Sequence, residues 1–553
     1  QGQRLSLSDG LANLVAYLPL GLLAAAWLAP RRSAGALAAG LAAIAAFSLA
    51  MELLQACMLA RVSSWFDLAM NSAGGLAGLL LMSRVAVPGH ATAAAAIRSP
   101  LLWPVLLVAG AWLALALAPV DTAHDLVRNL TGVYTTLRDL DIGRYDPARL
   151  AEQAPPLMQK LFETRMALRE RIGEWHAKGF IGAEVQKALR DVLRILRYGS
   201  DMLGEMALGF RRVPQTGKTH LAFTGADANT LINPRYVTGA NLPFRSGDVI
   251  LMRGRAHNSA AIARIGDIDS QYSHVGIVYV DPKGEHWMVE VLIEVGGNIV
   301  PLSEALGHGL GRAILFRHKD AALAARAAYI AHEHVRQSLA PRGKPILYDF
   351  TMKTDGYKRL FCSKLIRFAF DKASEGRLML STFETRLDMK NSDFFDRIGV
   401  LANATFAPGD MELEPGFDVV AEWQDYRVTS DLRHQDMVMD KLFEWMDTHK
   451  LKFSETFLIH VIALLGRFST YLSKNIKSMV ADSLPEVPPH MPRRTIATIV
   501  MLHKTAEPIM EDLRKVEAER NALFGYPLHP REALEHLEGY RAKHANEIGY
   551  LSA

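Results

Sequence analysis

The sequence predicts a multi-domain chain, an all-α transmembrane bundle followed by an α+β domain with helical regions on either side of it. Three observations predict this. Four apolar stretches fall within the first 120 residues, each near the roughly 20 residues that cross a bilayer. Short strand-like runs separated by turn residues begin at Phe244. Amphipathic helical spacing occupies the chain before and after those runs.

The apolar stretches are Leu11–Ala29, Ala36–Cys57, Trp65–Met82 and Leu101–Val120. Residues 1–120 hold six arginines, three acids and no lysine, too few charges for the surface of a water-soluble bundle. Gly74 and Gly78 lie one helical turn apart and allow close helix packing. The chain opens on Gln1 rather than Met, which reads as a missing upstream piece, either a processed signal or a first transmembrane helix. The domain division expected is 1–121 for a four-helix membrane domain, 122–237 for a helical connecting region, 238–426 for the α+β domain and 427–553 for a helical C-terminal region.

Net charge is +4 with both signs mixed along the chain, so no nucleic-acid partner is expected. Two cysteines, Cys57 and Cys362, exclude a disulfide framework. No metal-binding or cofactor motif is recognised, and neither a metal nor a cofactor is expected.

In the connecting region, Leu157–Trp175 and Glu184–Met206 have amphipathic spacing, with Arg190, Arg194 and Arg197 assigned to a solvated helix face. A loop-like stretch from Thr224-Gly225 to Asn241-Leu242-Pro243 marks a boundary. Strands are expected at Asp248–Met252, His274–Val280, Trp287–Ile293 and Ala313–Phe316, then at Asp418–Trp423 after the Pro415-Gly416 turn. Helices are expected at about 320–337 and at 362–373, and again through 427–553. The apolar run Phe457–Leu465 is too short to span a membrane and reads as core.

Cys362 opens the second of those helices, because Ser363-Lys364-Leu365-Ile366-Arg367-Phe368 continues with apolar residues at helical spacing. A helix N-terminus stabilises a thiolate, and its free N–H groups are placed to hold an oxyanion. His274 begins a strand, where it is held rigidly enough to act as a general base. A polar residue should orient the imidazole, and Glu290 is the choice. If the loop Val280–Gly284 holds five residues, Tyr279 pairs with Glu285 and His274 lies directly opposite Glu290. A four-residue loop turns Glu290 to the other face; Glu294, on the same face as Glu290, is the fallback.

The run Arg245-Ser246-Gly247-Asp248-Val249-Ile250, Ser273-His274-Val275-Gly276-Ile277, Val289-Glu290-Val291, Tyr348-Asp349 and Phe361-Cys362-Ser363 resembles the YiiX/YebB-like family of permuted, NlpC-type papain-like hydrolases. The resemblance covers about residues 240–425 and includes the turn Pro408-Gly409-Asp410. It follows the family's order of Gly-Asp strand, His strand, acidic strand and Cys helix, with histidine before cysteine, the reverse of papain's order. The resemblance implies a nucleophile at Cys362, a base at His274 and an orienting Glu290, with Ser273, Tyr348 and Asp349 close to the substrate. One departure is Lys364, which stands two residues after the cysteine where relatives often carry an acid.

A second constellation lies in the apolar region. Glu52 and Gln55 share one helix face, as do Asp67 and Asn71, while Asp9 and Arg61 fall at the same membrane boundary. Asp9, Tyr17-Leu18-Pro19-Leu20-Gly21, Glu52, Gln55, Arg61, Ser64, Asp67, Asn71 and Gly74 are spaced as in the VanZ-like membrane family, which this stretch resembles over about residues 8–83. The linking segments with Arg31-Arg32 and Arg84 to Arg98 carry more positive charge than the one with Arg61, which places them in the cytoplasm and residues 122–553 outside.

Together these readings predict a multi-pass protein of the bacterial inner membrane carrying an extracytoplasmic cysteine hydrolase. Its expected partners are the lipid bilayer and a cell-wall peptide, lipoprotein or lipid-linked substrate, cleaved at an amide or ester through an acyl-thioester on Cys362. A lipid acyltransferase and a catalytically silent binding module are the alternatives.

Overall fold

Runs of Val, Ile and aromatic residues bounded by Gly, Pro and Asp favour a pleated sheet. They build seven strands: β1 (Thr230–Ile232), β2 (Val249–Gly254), β3 (His274–Val280), β4 (His286–Leu292), β5 (Gly296–Pro301), β6 (Leu310–His318) and β7 (Phe417–Gln424). The order in space is β1-β7-β6-β2-β3-β4-β5, and every neighbouring pair is antiparallel. This is the sheet-rich α+β architecture expected of the central domain. The computed structural model describes residues 120–553 apart from 213–220, 224–228, 237–241, 265, 267–269, 308, 388–391, 456–458, 460–490 and 545–546.

Both faces of the sheet are covered. Val249 and Leu251 of β2 enter one core with Val275, Ile277, Ile314 and Phe316. Ile250 and Met252 enter a second core with Val278, Met288, Ala313 and Leu315. Burial on both faces explains why β2 reads as a continuous apolar run rather than an alternating one. Helices α5 (Ala321–Leu339) and α6 (Cys362–Ala373) contribute Ala324, Ala327, Leu365 and Ala369 to the first core. The lead-in Gly247-Asp248 has a defined job. Gly247 has φ +92, and a Cβ there would come within 2.4 Å of the Ala324 backbone, so only glycine fits. Asp248 accepts from Arg317 Nη2 at 2.7 Å and from the Arg245 N–H at 2.8 Å, tying β2 to β6.

Helices flank the sheet on both sides in sequence. Before it come α1 (Ala123–Arg138), α2 (Pro147–Ala177) and α3 (Ala183–Ala207), and between β2 and β3 lies α4 (His257–Ala263). After it come α7 (Thr429–Thr448), α8 (Arg493–Phe524) and α9 (Pro530–Lys543). Asp146 caps α2 by accepting from the Arg149 N–H, with Pro147 at the first helical position. Residues 115–553 form one compact unit.

Two expectations are corrected. The arginines of α3 do not make a solvated face, because Arg190 and Arg197 turn inward onto carboxylates of the 408–413 turn and of β7. Arg190 is buried against Asp410, and Arg197 is 1 % exposed between Glu412 and Glu422. Arg194 is only partly exposed and meets Asp191 at 2.9 Å. Arg165 of α2 adds a 3.0 Å pair to Glu422. Strands β1 and β5 were not expected. At β5 the leading Gly296-Gly297 suggests a turn, yet Gly296 has φ +78 because the Ile346 carbonyl approaches where a Cβ would stand.

Asp9, Glu52, Gln55, Arg61, Asp67 and Asn71, together with Cys57, lie outside the described residues, as do the four apolar stretches up to residue 119 and nearly all of Phe457–Leu465. Among the described residues no helix is long and apolar enough to cross a membrane.

Candidate active site

His274 is the first residue of β3 and pairs with Met252 of β2. The β3–β4 ladder pairs Val280 with His286 and Tyr279 with Trp287, not Tyr279 with Glu285. Asp281 sets this register: its side chain accepts the N–H groups of Lys283 and Glu285, and its carbonyl accepts that of Gly284. The ladder is thus offset by two residues from the expected one. An even offset leaves side chains on their face. Glu290 falls across from Gly276 rather than His274, and its carboxylate reaches back diagonally to the imidazole. The His274 Nε2 to Glu290 Oε2 distance is 2.7 Å. Asn298 of β5, directly opposite Glu290, donates to the other carboxylate oxygen at 3.1 Å. Sequence reading missed Asn298 because it missed the strand that carries it.

Cys362 is the first residue of α6 and is 3 % exposed. Phe361 precedes it as an extended N-cap with no side-chain hydrogen bond, which leaves the first-turn N–H groups free of a side-chain cap. Three contacts fix that turn. The Asp349 N–H donates to the Leu360 carbonyl at 3.0 Å and the Leu360 N–H to the Leu347 carbonyl at 3.2 Å. Ser363 Oγ donates to the Phe406 carbonyl. Lys364, the departure from the family pattern, reaches Asp349 at 2.9 Å in a pair that is 1 % and 9 % exposed. Asp349 also accepts from the Thr351 N–H and hydroxyl. Its carboxylate is committed to bracing the cysteine turn.

The imidazole of His274 hydrogen-bonds to Glu290, and the Cys362 side chain lies close enough to act on it electrostatically. Burial opposes its charge, but the neighbouring Cys362 and Glu290 side chains outweigh it and lift the pKa to about 10. An imidazolium therefore stands beside the sulfur at neutral pH. Because the folded pKa lies above the unfolded one, this group stabilises the fold fully below about pH 6.5 and loses that contribution as pH rises through about 10. Glu290→Gln removes the carboxylate that holds the proton. The pH profile of Cys362 alkylation should show a break near pH 10 in the wild type and move to lower pH in this variant. An unmoved break would mean that Glu290 does not support the imidazolium.

Tyr348 is buried beside the cysteine, and its phenol is pushed well above its ordinary value by burial and then by the charge of Cys362, Glu294 and Asp349. It stays a neutral donor at any working pH. Its ring packs on Phe350 with centroids 5.0 Å apart. Both rings line a small open pocket of about 60 Å3 whose wall is apolar, including Ile262, Ile293, Phe394 and Leu502. Ser273 is buried next to His274 with its Oγ accepting from the Gly254 N–H at 3.4 Å. The structure therefore brings together Cys362, His274, Glu290 and Tyr348, with Asp349 and Ser273 holding the backbone around them.

A histidine strand next to an acidic strand, with a cysteine at a helix N-terminus later in the chain, is the arrangement of a permuted papain-like enzyme. In agreement, residues 243–412 match the family described as permuted papain-like amidase enzyme, YaeF/YiiX, C92 family. Residues 2–86 match VanZ/LLP1. The chain joins a VanZ/LLP1-like segment to a permuted papain-like amidase segment, and the first segment points to a membrane protein, the second to a hydrolase. No curated protein and no solved structure matches the chain.

Proposed function

We propose that the chain is a membrane-anchored cysteine hydrolase in which Cys362 is the nucleophile, His274 the acid-base and Glu290 its orienting partner. The observation that carries this is the 2.7 Å His274–Glu290 bond, with Cys362 beside the same imidazole at the first residue of α6. Glu290 on Nε2 leaves Nδ1 to serve the sulfur. The Cys362 sulfur attacks an amide carbonyl carbon, forming a C–S bond while the oxyanion is met by N–H groups of the α6 N-terminus. The Tyr348 phenol is a further donor for that oxygen. His274 gives its proton to the leaving nitrogen as the C–N bond breaks. It then takes a proton from water, which attacks the thioester and releases the carboxylic acid.

The substrate is an amide, or an ester of similar geometry, in a cell-wall peptide, a lipoprotein or a lipid-linked molecule at the outer surface of a bacterial inner membrane. The VanZ/LLP1-like segment supports the membrane setting, and the charge bias of its linking segments supports the outward orientation. The apolar pocket beside Tyr348 favours a second reading, transfer of a fatty acyl group from a lipid donor to an acceptor other than water. Mass spectrometry of the trapped acyl-enzyme separates the two: a peptidyl adduct supports the first and a long-chain acyl adduct the second.

The dyad itself is tested by alkylation of Cys362 with iodoacetamide near neutral pH. His274→Ala should slow labelling by about 10²-fold, the usual cost of losing a positioned proton-transfer partner. Equal rates in the wild type and His274→Ala would sink the dyad and leave a silent binding module.

A further inference from the structure

A second cluster of ligand-type side chains lies away from the cysteine. His257 of α4 and His503 and Glu507 of α8 bring one ligand atom each to within 4.8 Å of one another. His503 and Glu507 are one helical turn apart on the same helix face, as a single ion requires. His257 comes from a different part of the chain and is 2 % exposed, and His503 is 7 % exposed. The two imidazole rings sit with centroids 5.0 Å apart, and His257 Nε2 lies 2.7 Å from Glu507 Oε2. His257 Nδ1 is buried with no hydrogen-bond partner. Arg514 donates to the other oxygen of Glu507 at 2.8 Å.

We propose that His257, His503 and Glu507 bind a borderline divalent transition ion of the zinc class. Two imidazoles and a carboxylate are the donor set such ions prefer over hard cations. Ligand atoms on one tetrahedral zinc stand about 3.3 Å apart, given bonds of about 2.0–2.1 Å, so the 4.8 Å spread must close while the 2.7 Å His257–Glu507 contact opens to admit the ion. Arg514 occupies the carboxylate oxygen not needed by the ion and orients the ligand.

The position gives the ion a role. Each histidine neighbours in sequence a residue of the apolar pocket, Asn258 after His257 and Leu502 before His503. A bound ion ties α8, near the end of the chain, to α4, just after β2, and fixes the width of the pocket between them.

The test uses the full chain in detergent, stripped with chelator, with Cys362→Ala introduced so that the site thiol cannot capture metal. Cobalt(II) should bind one per chain with a visible d–d spectrum lacking a thiolate charge-transfer band, and zinc should displace it. Saturating zinc should raise the thermal midpoint by several degrees, since a ligand of the native state stabilises by mass action. His503→Gln and Glu507→Gln should abolish both effects. Absence of a spectrum and of any midpoint change in the parent leaves only a His257–Glu507 ion pair and overturns the site. Undiminished binding in both variants places the ion elsewhere and overturns it equally. Should the variants misfold, X-ray absorption of the parent decides, with two imidazoles and a carboxylate oxygen expected on the ion.

Discussion

Cys362→Ala should abolish amide cleavage, lowering turnover by about 10³-fold or more, the scale seen when a nucleophile is removed from a site whose parts act as a unit. The loss should be chemical rather than structural. Cys362 is 3 % exposed, and truncation to Ala removes one buried atom while leaving the Asp349–Lys364 and Ser363–Phe406 braces of the turn in place. The variant should unfold within about 1 kcal/mol of the wild type. Hydrolysis of a panel of peptidyl and fatty-acyl amides by the detergent-solubilised chain, with circular dichroism on the same samples, makes the comparison. Turnover retained in Cys362→Ala would remove the thiol from the mechanism.

The second large effect is on stability. Asp349→Ala should destabilise the fold by about 3–5 kcal/mol, because it strands the Lys364 ammonium in an apolar setting. It also takes away the acceptor for the Thr351 N–H and hydroxyl. Replacing both partners, Asp349→Ala with Lys364→Met, should recover most of the loss, since a buried pair is worth little against an apolar substitute. Thermal unfolding followed by tryptophan emission reads both variants. A single variant within about 0.5 kcal/mol of the wild type would show that the pair does not hold the turn. Lys364 is thereby explained: in this chain the second residue after the cysteine is half of a brace.

Much of the site was legible in the sequence because face and order survive small errors. The β3–β4 register differs from expectation by two residues, yet Glu290 stays on the face of His274 because side chains alternate with a period of two. The cysteine helix was read at its observed bounds because Phe361-Cys362 interrupts no periodicity and the apolar spacing behind it is regular. What could not be read depends on partners far away in the chain. Arg190 and Arg197 look like a solvated face, since their carboxylates, Asp410, Glu412 and Glu422, lie more than 200 residues away. Asn298 was hidden because Gly296-Gly297 imitates a turn, and its bond to Glu290 exists only once β5 pairs with β4. His257 and His503 are adjacent only through the packing of α4 on α8.

The place of β7 has a consequence for how the protein is made. This strand, Phe417–Gln424, lies between β1 and β6, beyond the end of the amidase match at residue 412. Glu205 and Glu517 close on Arg433 from opposite ends of the unit. A ribosome that has delivered Cys362 has therefore not yet delivered the strand that joins β1 to β6 or the helix that closes the last ion pairs. Such long-range pairings form late and slowly. The thiol emerges before these elements, as an ordinary side chain in an unfinished fold, and it meets its assembled surroundings only after they have been made.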